Sequence, residues 1–158
     1  MTQMMNISIR PAQIEDAAAI TAILQQLEWF SHYGEITPLR VSRQLELCLA
    51  DASHSVYLAE TPSGEIVGYG AVHWLPTLFM PGGEGYVSEL FVKESARGGG
   101  VGAALLRAFV AEGKERGCTR LSLLNNRQRE SYRRGFYTKQ GWQEREAMAN
   151  FVYLFDQS

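Results

Sequence analysis

Apolar positions along this chain switch between a period of two and a period near 3.6, and the switches mark out its elements. Ile7 and Ile9 alternate with polar neighbours up to Pro11, which predicts a short strand β1. Ile20, Ile23, Leu24 and Leu27 then fall at helical spacing, with Glu15 and Asp16 suited to a first turn, and predict helix α1. After the aromatic stretch Trp29, Phe30, His32, Tyr33 and a break at Gly34, the positions Val41, Leu45, Cys48 and Leu49 share one helical face, predicting α2. Two β-branched and aromatic runs, residues 56–60 and 66–74, are separated by Pro62, Ser63 and Gly64 and read as a hairpin β2–β3. A loop rich in Pro and Gly leads to residues 86–92, a run apolar on both faces apart from Ser88 and Glu89, as a central strand β4 requires. On that alternation Glu89 shares a face with Val87 and Phe91. Val101, Leu105, Ala108 and Phe109 form the stripe of α3, which closes on Lys114, Arg116 and Gly117. Leu121, Leu123 and Leu124 predict β5, residues 130–139 a helix closed by Gly141, and residues 142–146 with 151–155 a terminal strand pair. The result is a mixed α/β chain with one helix crossing between central strands.

The 158 residues, 46% of them apolar, suit a single domain with one core, so residues 1–158 are expected to form one unit. A net charge of −2 gives no global reason to bind nucleic acid or an anionic membrane. Any polyanionic ligand has to be met locally. Cys48 and Cys118 have no metal-type spacing partner and lie in apolar stretches, which favours free buried thiols in a reducing compartment, and no metal is expected. The start lacks the basic region and apolar run of a secretory leader, and no stretch approaches the roughly 18 apolar residues of a membrane span, so a cytoplasmic location is expected.

The most informative segment runs Val92-Lys-Glu-Ser-Ala-Arg-Gly-Gly-Gly-Val-Gly-Ala-Ala-Leu-Leu106, with glycines at 98, 99, 100 and 102 between a buried strand and an amphipathic helix. A turn built from glycines can aim successive backbone N–H groups at one point, and the helix that follows adds unpaired N–H groups and partial positive charge. Phosphate is the natural occupant. A Walker A loop would end in Gly-Lys-Ser/Thr, but Gly102 is followed by Ala103 and Ala104. A dinucleotide fingerprint is partly matched by Gly98, Gly100 and Ala103, yet the acidic residue required about 20 positions on is absent, since Leu123 stands there.

Arg97-Gly98-Gly99-Gly100-Val101-Gly102 does fit the pyrophosphate loop of the GNAT acetyltransferases, which reads Gln or Arg, any two residues, Gly, any residue, then Gly or Ala. The resemblance extends over nearly the whole chain. Ile9-Arg10-Pro11-Ala12 followed by Glu15-Asp16-Ala17 is similar to the opening of that family, residues 64–70 to its β2–β3 hairpin, and Phe136-Tyr137-Thr138-Lys139-Gln140-Gly141-Trp142 to its closing Phe-Tyr-x-Lys-x-Gly-Phe motif. Where the family often carries an Asn on the pantetheine arm this chain has Glu130, with Asn125 or Asn126 as substitutes, and Arg133 stands where a small residue is common. The resemblance implies a central, mixed, mostly antiparallel sheet flanked by helices, in which β4 and β5 splay apart and admit acyl-pantetheine. It implies acetyl-CoA as the acyl donor, held by Phe91, Val92, Arg97, Gly98, Gly99, Gly100, Val101, Gly102 and Asn125. It implies transfer to a primary amine of a small molecule or peptide by direct attack, and leaves room for a homodimer. A non-catalytic acyl-CoA sensor or scaffold is the alternative reading.

Such chemistry sets requirements. An alkyl amine with a pKa of about 10.4 is protonated at neutral pH, and exposing its lone pair costs about 4–5 kcal/mol without a base. Glu89 on β4 is the first candidate base, against a purely structural ion-paired carboxylate; Glu84 and His73 compete with it. The departing thiolate needs a proton donor, and the resemblance assigns that to Tyr137, with Phe136 packed inward. Aromatic and acidic residues gather in the α1–α2 connection and the β3–β4 loop: Trp29, Tyr33, Glu35 and Trp74 first, then Glu28, Phe30, His32 and Phe79. They suit an acceptor amine with an apolar body, or else they simply close the core or form a dimer face.

Overall fold

A computed structural model of the chain describes residues 3–156. They divide into two compact units, the first ending at Leu124 and the second beginning at Asn125. In the first unit, β1 (Ser8–Pro11), β2 (His54–Glu60), β3 (Ile66–Leu75), β4 (Glu84–Val92) and β5 (Arg120–Leu123) form one five-stranded sheet in sequence order. The first four strands pair antiparallel and β4 pairs parallel with β5. Parallel neighbours need a crossover, and α3 (Val101–Glu115) supplies it.

The helices fall on opposite faces because strand residues alternate. On one face α1 (Ala17–Gln25) and α2 (Pro38–Leu49) bury Ile20, Ile23, Val41 and Leu45 against Val56, Leu58, Tyr69 and Ala71. Pro38 at the first helical position and Thr37, whose Oγ1 accepts from Arg40 N at 3.2 Å, start α2 where its pattern begins. On the other face Val101 and Leu105 of α3 pack with Ala59, Tyr57, Leu90 and Val92. Phe109 is fully buried there, the kind of side chain that stabilises a core by about 1.5–3 kcal/mol. Glu112 of α3 locks this layer to the sheet: its carboxylate accepts from Ser55 Oγ and Tyr57 OH, each at 2.7 Å, and from Arg116 Nε at 2.9 Å. Arg10 ties β1 to the α1 side, donating to Asp16 at 2.8 and 2.9 Å and to Glu60 at 2.6 Å.

In the second unit the expected helix at residues 130–139 is two short ones, α4 (Glu130–Arg133) and α5 (Phe136–Lys139). The break is Gly135, at φ 66°. The expected strand pair at 142–146 and 151–155 is corrected: neither segment is a strand. Alternation is only permission to pair, and a strand exists by its ladder; Phe151 is 91% and Phe155 77% exposed. Within this unit Arg127 and Tyr132 converge on the Glu144 carboxylate at 2.6–3.0 Å.

Candidate active site

The glycine segment leaves β4 through a 3-10 turn (Glu94–Ala96) and enters α3. Gly98 and Gly100 adopt φ 80° and 83°, values that L side chains resist, which is why glycine occupies both. The first hydrogen bond of α3 runs from Ala104 N to Gly100 O at 3.0 Å. The N–H groups of Gly100, Val101, Gly102 and Ala103 therefore precede any intrahelical acceptor, at the positive end of a 15-residue helix. A donor set without side chains fits pyrophosphate, whose oxygens need close backbone approach. Arg97 flanks it, its Nε 3.4 Å from Val92 O.

Beside the loop, β4 has an open edge. Its ladder with β5 ends at Val87 opposite Leu123, so among the described residues Ser88 to Val92 have no β5 partner. The divergence coincides with a bulge: Val72 of β3 faces Val87 and Ala71 faces Glu89, leaving Ser88 extra. This corrects half of the expectation for Glu89, which keeps Phe91 but not Val87 on its face. Val87 is paired with Val72 on the α3 side, whereas Glu89, paired with Ala71, points with Phe91 toward α1 and α2. Its carboxyl accepts from Tyr69 OH at 2.8 Å. Glu89 as a residue is half-buried, yet its carboxyl is enclosed enough that burial raises its pKa, and the Tyr69 bond only partly offsets this. Burial and the neighbouring carboxyl hold the Tyr69 phenol well above its ordinary value, so it stays a donor. Cys48 of α2 feels the same carboxyl, its thiol pushed up first by burial and then by Glu89. Tyr69 escaped the sequence reading, although a tyrosine in so apolar a strand needs a polar partner for its hydroxyl.

The other candidate bases sit differently. Glu84 is ion-paired with Arg120 at 2.8 Å, at the opposite end of β4 from the glycine loop. His73 contacts Ser88, its Nε2 2.8 Å from Ser88 Oγ.

Of the acceptor residues, Trp29 lies in a 3-10 helix (Glu28–Tyr33) and packs with Phe30 on Phe91, at ring centroid distances of 6.2 and 5.5 Å. Tyr69 adds a fourth ring, 5.8 Å from Phe91. Tyr33 stacks on His32 at 3.9 Å and is exposed, as is Glu35. Arg40 holds this connection, its Nη1 donating to the carbonyls of Tyr33, Gly34 and Glu35 at 3.0–3.3 Å. Trp74 does not belong to the cluster. It is buried on the α3 side, its Nε1 donating to Ser55 Oγ at 2.9 Å and its ring under Arg116. Phe79 is 76% exposed, with the Arg120 guanidinium over its ring.

In the second unit, Asn125 Oδ1 accepts from Ser131 Oγ at 3.1 Å. Tyr137 stands edge-on to Phe136 and Trp142, and burial raises its phenol pKa. Phe136 is half-buried beneath Arg134. Among the described residues no three His, Cys, Asp or Glu side chains form a metal-ligating group, and no helix is long and apolar enough to cross a membrane.

The model of the acetyltransferase (GNAT) family matches residues 21–142. An "IAA acetyltransferase" of Azospirillum brasilense is 31% identical over 144 residues, covering 90% of this chain and 88% of that protein. Glucosamine-6-phosphate N-acetyltransferase from Arabidopsis thaliana shares the fold at a TM-score of 0.79 and 22% identity, covering 96% of this chain and 99% of that one. A protein described as a transcriptional regulator from Bacillus halodurans C-125 shares it at 0.84 and 23%, covering 95% and 100%. The matched span takes in the glycine cradle, the open edge of β4 and the Phe-Tyr motif together, and the chain belongs to the acetyltransferase (GNAT) family.

Proposed function

We propose that the chain transfers an acetyl group from acetyl-CoA to a primary amine by direct attack, with Glu89 as the base. The observation that carries this reading is the left-handed pair Gly98 and Gly100 opening onto the N-terminus of α3, next to a β4 edge free of β5. Acetyl-CoA supplies the activated acetyl thioester. The N–H groups of Gly100 to Ala103 hold its pyrophosphate, with Arg97 beside them. Free backbone N–H on β4 near Phe91 polarises the carbonyl, the kind of preorganised donor worth most where water is excluded.

The acceptor enters from the α1–α2 side, its apolar body against Trp29, Phe30 and Phe91. Glu89 withdraws the ammonium proton through its Oε2, since Oε1 already accepts from Tyr69. A carboxyl with a pKa raised toward neutrality is a better base than an ordinary glutamate because its conjugate acid and the amine are more nearly matched. Tyr137, which matches the Tyr of the family's closing Phe-Tyr motif, protonates the departing thiolate in this reading.

The test couples binding to turnover. Free thiol release from acetyl-CoA is followed over a panel of amines and peptide N-termini, while calorimetry measures acetyl-CoA affinity of the parent and Gly102→Val. The reading expects amine-dependent thiol release, acetylated product by mass, and a large loss of affinity in a folded Gly102→Val. Glu89→Gln should bind acetyl-CoA normally and turn over slowly. Unchanged affinity in Gly102→Val, or binding without transfer to any amine, overturns it; the latter outcome favours an acyl-CoA sensor.

A further inference from the structure

Acetylation of an ammonium has a proton surplus. As the C–N bond forms and the C–S bond breaks, the nitrogen gives up two protons; the thiol keeps one and one must reach water. Glu89 can take a proton, but its carboxyl is enclosed by Tyr69 and the α2 side and must be emptied before the next turnover.

Next to it in sequence is the one residue that the bulge extrudes. Ser88 is exposed, lies between the last β4 residue paired with β5 and Glu89, and its Oγ is 2.8 Å from His73 Nε2. His73 is half-buried. It faces His54 of β2, its cross-strand partner, edge-on at 4.6 Å, and Tyr86 of β4 at 6.4 Å. Asp51, in the turn before β2, lies 4.0 Å from His54 Nδ1. Apart from that distant carboxylate, the groups that contact His73 among the described residues, the His54 and Tyr86 rings and the Ser88 hydroxyl, include no carboxylate to stabilise an imidazolium there.

We propose that Ser88 and His73 form the outlet by which the proton released in each turnover passes from the reacting nitrogen and Glu89 to solvent. With the ring proton on Nδ1, Ser88 donates its hydroxyl proton to His73 Nε2 as its oxygen accepts the next one, and His73 releases the Nδ1 proton outward. Serine ends unchanged, and the imidazole, left with its proton on Nε2, regains the Nδ1 tautomer by proton exchange with water, so no other reactant is needed. Burial, and then the neighbouring His54, lower the His73 pKa; the ring is therefore neutral at rest and sheds a proton once loaded. The inference rests on amine acetylation at the open β4 edge.

Two readouts test it, one of them independent of acetyl-CoA. Ring NMR of the free protein follows the His73 titration in parent and Ser88→Ala. A hydroxyl donating to Nε2 favours the neutral ring, so its removal should raise the His73 midpoint; a fall or no change means that the hydrogen bond runs the other way or is immaterial, and overturns the outlet. In steady state with the parent's best amine and dilute buffer, His73→Gln should lose turnover by roughly 100-fold, the low end for a positioned proton carrier. Imidazole should restore it, while acetyl-CoA affinity stays at the parent value. Ser88→Ala, the smaller change, should show the same rescue. Parent-like turnover in His73→Gln, or a loss that imidazole leaves in place, overturns the outlet alone. If the parent itself transfers acetyl to no amine, the proposed function fails and the outlet with it.

Discussion

Replacing Tyr69 with Phe keeps the ring on Phe91 and deletes only the hydroxyl 2.8 Å from Glu89 Oε1. A hydrogen bond to a charged group contributes about 1.5–3 kcal/mol and one pKa unit is about 1.4 kcal/mol, so Glu89 should titrate roughly one to two units higher in the variant. The direction follows from the causes: burial already raises this carboxyl, the Tyr69 bond lowers it, and losing the bond raises it further. A carboxyl whose folded pKa exceeds its unfolded value holds its proton longer in the native state. Its contribution to stability therefore falls as pH rises from the ordinary glutamate value through the folded one, and is constant above. Tyr69→Phe should thus be destabilised increasingly across that window. Below it the cost shrinks to that of a neutral hydrogen bond, about 0.5–1.5 kcal/mol. In kcat/KM against pH, measured by thiol release with one amine, the ascending limb should move up by the same one to two units, the amine's own titration being common to both proteins. Carbon NMR of the Glu89 carboxyl gives the shift directly. A folded Tyr69→Phe whose limb and carboxyl titration coincide with the parent's would refute Glu89 as the base held by Tyr69.

Gly70→Ala should cost about 1–3 kcal/mol in denaturant unfolding, the usual range for overpacking, because the added Cβ would lie 2.6 Å from Phe109 Cζ and 3.2 Å from Glu89 O. Arg40→Met removes the donor shared by the carbonyls of Tyr33, Gly34 and Glu35; KM for the amine should rise several-fold with acetyl-CoA affinity unchanged, and an unmoved KM would separate this connection from the acceptor. Tyr137→Phe should keep fold and acetyl-CoA affinity and slow transfer by roughly 100-fold, the low end for a general acid, since CoA thiol is a fair leaving group. Turnover within about twofold of the parent, far below that range, would leave Tyr137 as packing.

What the sequence made legible is what backbone chemistry dictates locally. Glycines at 98 and 100 announce left-handed turns, and an amphipathic stripe after them announces a helix whose N-terminus meets the turn; both are present. Facing was harder. Glu89 was expected beside Val87 because alternation is the default, but the bulge at Ser88 reverses it, and a bulge leaves no compositional trace. Trp74 was expected with the acceptor residues by its closeness to the β3–β4 loop. Its parity with Gly70 and Val72 puts it on the α3 side, where Ser55 satisfies its indole. Residues 142–146 and 151–155 carry strand-like alternation without a ladder, and pairing is a property of the partner as much as of the segment. Tyr69 and Ser88 matter through contacts made across strands, which single-strand patterning does not record.

The proposed function stands or falls with the grip of the glycine-segment backbone on the pyrophosphate of acetyl-CoA. Amide NMR of the nitrogen-labelled protein tests it directly, with titrations of acetyl-CoA, of its 3′-dephospho analogue and of acetyl-pantetheine, which lacks the pyrophosphate. The Gly98, Gly100, Gly102 and Ala103 amides should shift with the first two ligands, while acetyl-pantetheine should bind far more weakly and leave them in place. Amides that stay fixed as acetyl-CoA saturates, or acetyl-pantetheine binding as tightly as acetyl-CoA, would contradict it.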